Sequence, residues 1–211
     1  MTATQSLGLI AFLFPLAFSP GPGNSYFAAL GAARGLRGSL AALCGYHVAT
    51  WLVTLGLGLG AGVALLNEPV ALRLLGLLGG GYILWLGVAG LRSVPAGSTP
   101  VGAQPVEGNP SGAAGLMAGA LLLLLNPKAY LIIAVMFSEF LSTQEHTPGR
   151  VVAITTIFTL NNLVAFALWA LAGQALGRWA VRSGHQRLLD RGFAVGVMAV
   201  GAWLIAVTVT S

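Results

Sequence analysis

Apolar residues in this chain do not alternate with polar ones; they run in long unbroken blocks. A helix needs about 20 apolar residues to cross the hydrocarbon core of a bilayer. Six stretches reach that length: Leu7 to Leu30, Ser39 to Leu66, Val70 to Leu91, Gly112 to Leu141, Val151 to Gly173 and Leu188 to Val209. The turn Asn67-Glu68-Pro69 parts the second from the third. Ser93 to Ser111 is the longest polar piece; its four prolines, with Gly and Ser between them, predict a flexible linker. It divides the chain into residues 1–92 and 112–211, three spans on each side. The pattern predicts an all-α membrane protein of six transmembrane helices.

Composition points to the same solvent. Of the 211 residues, 56% are hydrophobic and 7% charged, against about a quarter charged in soluble domains. The net charge of +5 rests on basic residues scattered between apolar runs, which read as topology signals rather than a nucleic-acid face. Cys44 is the only cysteine, so neither an intrachain disulfide nor a CxxC pair exists. Glu68, Glu107, Glu139, Glu145 and Asp190 are the only acids; no metal site and no cofactor are expected. Leu7 to Phe18 looks like a signal-peptide core, but the first basic residue is Arg34. We read it as an uncleaved first span. Loops after spans one, three and five hold Arg34, Arg37, Arg92, Arg178, Arg182, Arg187 and Arg191. The even loops hold only Arg73 and Arg150, beside Glu68, Glu139 and Glu145. Positive-inside counting puts the odd loops in the cytoplasm and both termini outside.

Two spans are interrupted. Ser19-Pro20-Gly21-Pro22-Gly23-Asn24 breaks the first about halfway along, and Asn126-Pro127-Lys128-Ala129-Tyr130 breaks the fourth. Each proline removes a donor and clashes with the carbonyl one turn back. Freed backbone groups are tolerated at membrane depth where they line a cavity; a plain proline kink is the alternative. Placing Pro22 on Pro127 aligns span one with span four. With three spans per half, the halves must cross the membrane in opposite senses, as two inverted three-helix repeats. Paired interruptions in inverted halves point to a transporter binding site.

The stretch from Pro15 to Gly62, with its Pro-Gly-Pro break, its glycines at Gly31, Gly35, Gly38 and Gly45 and its arginines, resembles the LysE/RhtB-type amino-acid exporters. Gly115 to Gly119, followed by Asn126-Pro127-Lys128-Ala129, is similar to the same family in the second half. The resemblance implies a secondary active exporter in a bacterial inner membrane, proton-coupled and working by alternating access at the two breaks. Its expected partners are a small-molecule amino acid, the proton gradient, the lipid bilayer and a second copy of the chain in a homodimer, with no nucleic acid.

A zwitterion suits such a break. One half-helix ends in carbonyls and the next begins with N–H groups, so ammonium and carboxylate both find partners without a buried side-chain charge. The candidate binding residues are Pro20, Gly21, Pro22, Gly23, Asn24, Asn126, Pro127, Lys128, Tyr130, Asn161 and Asn162. Lys128 either meets the substrate carboxylate or caps carbonyls freed by Pro127. His47 and Glu139 are the proton-coupling candidates, against plain hydrogen bonding for the first and a hydrated position for the second. Asn161 and Asn162 lie about 100° apart on a helix, so only one faces the core squarely. With no acid near the midplane, small neutral or polar amino acids of the threonine, homoserine or branched-chain type are expected. An intramembrane enzyme using His47 with Ser25, and a passive channel or structural subunit, are the competing readings.

Overall fold

The computed structural model describes residues 1–19, 21–60, 69–92, 112–141 and 147–210. Pro20, the turn residues Asn67 and Glu68, the whole Ser93 to Ser111 linker with Glu107, and Glu145 lie outside them. The described residues form helices and no strand: α1 (Ala3–Phe18), α2 (Pro22–Gly58), α3 (Pro69–Arg92), α4 (Ala113–Leu124), α5 (Pro127–Phe140), α6 (Pro148–Arg182) and α7 (Gln186–Thr210). α2, α6 and Arg187–Thr210 of α7 are each long and apolar enough to cross a membrane; α4 and α5 qualify together as a pair bent by 61°. Large apolar side chains such as Leu7, Phe14, Leu52, Trp85, Leu131, Leu160, Val164 and Trp203 face outward. An exterior of that kind is stable against acyl chains and not against water. The protein is an all-α membrane protein.

Helix α2 is two arms rather than one rod. Gly35 holds φ 68°, ψ 176° inside it, a backbone region that side chains with a Cβ rarely adopt. A straight helix would separate Gly23 from Tyr46 by about 35 Å. Instead both meet one ring: a Cβ on Gly23 would collide with Phe166, and the Tyr46 and Phe166 centroids are 4.8 Å apart. The chain therefore reverses at Gly35. The reversal leaves the Leu36 N–H without a helical partner, and Gln174 Oε1 accepts it at 2.6 Å.

Contact register gives the helix directions. Gln5 meets Arg150, Leu9 and Leu13 pack with Ile154 and Phe158, Gly23 meets Phe166, and Ala32 meets Gly177. Both numbers rise together. α1 and the first arm of α2 thus run in one direction along α6, so the break at Ser19–Gly21 interrupts a crossing without turning it back. The second arm descends: Trp51 Nε1 donates to Thr156 Oγ1 at 3.3 Å, and Gly58 meets Val151. α4 lies along that second arm, where a Cβ on Gly45 would strike the Leu116 carbonyl and one on Gly119 the Ala42 carbonyl. Because Cβ atoms lean toward the helix N-terminus, that reciprocal pattern marks parallel neighbours. α5 continues toward the Arg150 end, where Arg150 Nε and Nη2 donate to the Phe140 carbonyl at 3.2 and 3.1 Å. α3 and α7 pack antiparallel, Gly80 on Gly201 and Gly87 on Met198.

The helix ends carry their own signals. Thr2 and Gln5 form a capping box at the start of α1, and Thr147 with Pro148 opens α6. α6 outruns the predicted Val151 to Gly173 span and carries Arg178 and Arg182 on regular helix. Arg34 and Arg37 flank the Gly35 turn, and Gln174 docks there one turn before Arg178. Those arginines gather at one end of the bundle. Glu139 and Arg150 sit at the other.

Candidate functional site

The two breaks meet. A cleft with about 410 Å³ of space between atoms, part of it open to the outside, lies where they come together. Only about 30 Å³ of it accommodates the centres of water molecules, so it is narrow. Its lining includes Gly21, Pro22, Gly23, Asn24, Asn126, Lys128 and Asn162, faced by an apolar wall of Leu13, Leu16, Ile132, Phe158 and Phe166. Among the described residues no acidic side chain lines it.

The first break is held open by side chains that satisfy the carbonyls it frees. α1 ends at Ser19, which is extended (φ −63°, ψ 139°). Ser19 Oγ donates to the Leu16 carbonyl at 2.8 Å. Asn24 is buried, and its Nδ2 reaches back across the gap to the Ala17 carbonyl at 2.8 Å. Lys128 Nζ, from the other break, donates to Ser19 Oγ at 2.8 Å and to the Ser19 carbonyl at 3.2 Å. The N-terminal side is different. Gly21 is extended, no side chain caps α2, and Pro22 has no N–H. Gly23 and Asn24 therefore present N–H groups at the positive end of a helix, beside the Lys128 ammonium.

The second break resolves its carbonyls locally. The Asn126 N–H donates to the Leu123 carbonyl at 2.9 Å, and Tyr130 Oη donates to the Leu124 carbonyl at 3.2 Å. Pro127 sits at the first position of α5, again without a side-chain cap. Asn126 is buried, its Nδ2 3.4 Å from Tyr46 Oη, while its Oδ1 has no partner. Tyr46 and Asn162 line the same cleft, so a polar thread of Asn126, Tyr46 and Asn162 crosses its floor. Rings of Phe27, Tyr46, His47 and Phe166 pack around it at centroid distances of 4.8 to 5.9 Å.

Several predicted residues stand back from the cleft. Asn162 lines it and Asn161 does not, as their 100° separation requires; Asn161 keeps a buried Nδ2 without a partner. Pro127 and Tyr130 support the second break from behind the lining. His47 is buried one position beyond Tyr46; Nδ1 is 2.7 Å from the Leu43 carbonyl, and Nε2 lies beside the Asn162 backbone without completing a hydrogen bond. Glu139 is exposed near the far end of α5. Ser19, Phe158 and Phe166 were not among the predicted binding residues, yet Ser19 carries the link between the breaks and the two rings shape the wall. Phe166 follows Asn162 by one helical turn, the one sequence signal that places it there.

The family profile described as LysE type translocator matches residues 14–207. A Vibrio cholerae O1 protein described as an uncharacterized membrane protein is 32% identical over 203 residues, which cover 95% of this chain and 94% of its own. A homoserine/homoserine lactone efflux protein of Salmonella typhimurium is 25% identical over 90% of each chain. A cysteine/O-acetylserine efflux protein of Klebsiella pneumoniae is 27% identical over 88% of this chain and 90% of its own. No solved structure matches. Built around two interrupted membrane helices and matched along nearly its whole length, the chain belongs to the LysE type translocator family.

Proposed function

We propose that this protein is a secondary active exporter of small neutral or polar amino acids, of the threonine, homoserine or branched-chain type. The observation that carries the reading is the cleft at which the breaks in both halves converge. Relatives named for efflux of homoserine and of cysteine or O-acetylserine support amino-acid export. Among the described residues no acid lines the cleft, which favours neutral side chains, because a cationic one would be desolvated unpaired. Phe158, Phe166, Leu13 and Ile132 suit apolar or hydroxylated groups.

The arrangement proposed is six spans in two inverted repeats, residues 1–92 and 112–211. α1 with the first arm of α2 runs along α6, while the second arm and α4 run against it; spans one and four thus oppose each other, as do two and five. Alternating access then amounts to opening the narrow cleft to one side at a time. The arginines gathered near Gly35 and Arg178 favour a cytoplasmic position for that end, with both termini outside a bacterial inner membrane.

Proton coupling falls to His47 rather than Glu139. His47 adjoins the Asn126–Tyr46–Asn162 thread and has an unpartnered nitrogen; Glu139 is exposed and far from it. The experiment is efflux of labelled threonine from proteoliposomes, with and without an imposed pH gradient. Gradient-driven efflux that His47→Gln uncouples, leaving exchange intact, is expected. Gradient-independent flux would make the protein a passive channel.

A further inference from the structure

Lys128, from the second break, is seated on the end of α1. At the end of α1 the Leu16 carbonyl is bonded to Ser19 Oγ and the Ala17 carbonyl to Asn24. Two further acceptors at this end are Ser19 Oγ and the Ser19 carbonyl, and Lys128 Nζ occupies both, at 2.8 and 3.2 Å. An α-ammonium is the same chemical group on a shorter stem. We infer that Lys128 is a tethered stand-in for the substrate's ammonium, which must be displaced for loading and which makes the site demand a zwitterion. This rests on the amino-acid reading above and extends it to the rule by which substrates are admitted.

The argument is electrostatic. A ligand amine that takes the Ser19 acceptors drives the Lys128 ammonium off them. Among the described residues no acidic side chain lines the cleft, and two ammonium groups confined there at membrane depth repel each other. A ligand that also carries a carboxylate solves the problem it creates. Lys128 Nζ already lies against Gly21, where a Cβ would fall 3.0 Å from it. A short swing carries it toward the uncapped N–H groups of Gly23 and Asn24. A carboxylate seated there meets the helix N-terminus and the displaced lysine together. Asn126 Oδ1, buried in the lining and without a partner, offers the incoming ammonium a second acceptor. An amine with no carboxylate brings a second cation into the cleft and no anion of its own. A carboxylate with no amine leaves Lys128 latched at Ser19 and the breaks tied together. Both are excluded; the zwitterion alone exchanges.

The probes are threonine, threoninamide and N-acetylthreonine, tested as competitors of labelled-threonine counterflow in proteoliposomes of the full chain. The assay is run at about pH 6, below the usual range of an α-amine, so that the amide carries its charge. In the wild type, threonine competes, and the amide and the N-acetyl compound do not. In Lys128→Gln the latch is gone, and the potency of the amide relative to threonine rises about tenfold, the worth of one charge-assisted contact. Lys128→Arg keeps the discrimination. Each comparison is a ratio within one variant, so lower expression shifts both members alike. Equal competition by threonine and threoninamide in the wild type overturns the inference, as does an unchanged ratio in Lys128→Gln. Wild-type protein that carries out no counterflow of threonine or of any other neutral amino acid refutes the transport reading itself, and the inference with it.

Discussion

Asn24 closes the gap in the first span by reaching back seven positions to the Ala17 carbonyl. Both groups are buried, so removing the donor strands an acceptor at membrane depth, at a cost of roughly 1–3 kcal/mol. Asn24→Leu is expected to lower the thermal midpoint of the detergent-solubilised protein and to impair efflux; an unchanged midpoint would show that water replaces the amide. Residues of this kind were legible from sequence, because an amide or a lysine inside an apolar run has no other ready explanation. Asn24, Asn126, Lys128 and Asn162 all line the cleft. Phe158 and Phe166 were not legible, since an aromatic residue in such a run reads as lipid contact or packing until its neighbours are known. Gln174 escaped for the opposite reason. It lies near a helix end, where a polar side chain looks solvated, and only the fold brings it to Leu36.

Elements were legible where hydropathy marks them and illegible where geometry does. The turn between spans one and two reads in sequence as a short loop bearing Arg34 and Arg37; in the structure it is one residue, Gly35, with helix on both sides. An alanine forced into that positive-φ, extended backbone costs about 1–3 kcal/mol, and Gly35→Ala is expected to lower the unfolding midpoint accordingly. α6 extends beyond its apolar stretch because hydropathy records what lipid covers, whereas a helix persists for as long as its backbone bonds are made. At the first break, replacing Pro20, Gly21 and Pro22 with alanine should let α1 and the first arm fuse into one helix. That change removes the open N–H groups of Gly23 and Asn24 and moves Ser19 away from Lys128. Membrane insertion should survive and efflux should fail; normal efflux from the triple variant would reduce the motif to a tolerated kink.

At the scale of the whole molecule, orientation and substrate charge make the strongest tests. Reporters active only in the periplasm should work at both termini and stay silent near Val101; a cytoplasmic signal from either terminus would reverse the proposed orientation. Cells expressing the protein should resist toxic analogues of threonine or branched-chain amino acids and gain little against lysine or arginine analogues. Resistance to basic analogues alone would mean that an acid reaches the site. One packing feature bears on how such a molecule moves. Along the upper half of α6, a Cβ on Gly31 would strike the Ala170 carbonyl and one on Gly173 the Ala28 carbonyl, and Gly177 lies against Ala32. No side chain at these crossings is larger than a methyl group, so the first arm and α6 touch backbone to backbone. Pulling the two helices apart would strip close contacts from both backbones at once. The seam therefore holds the first arm and α6 as one unit, and a leucine at Gly31 would pry it open against the Ala170 carbonyl.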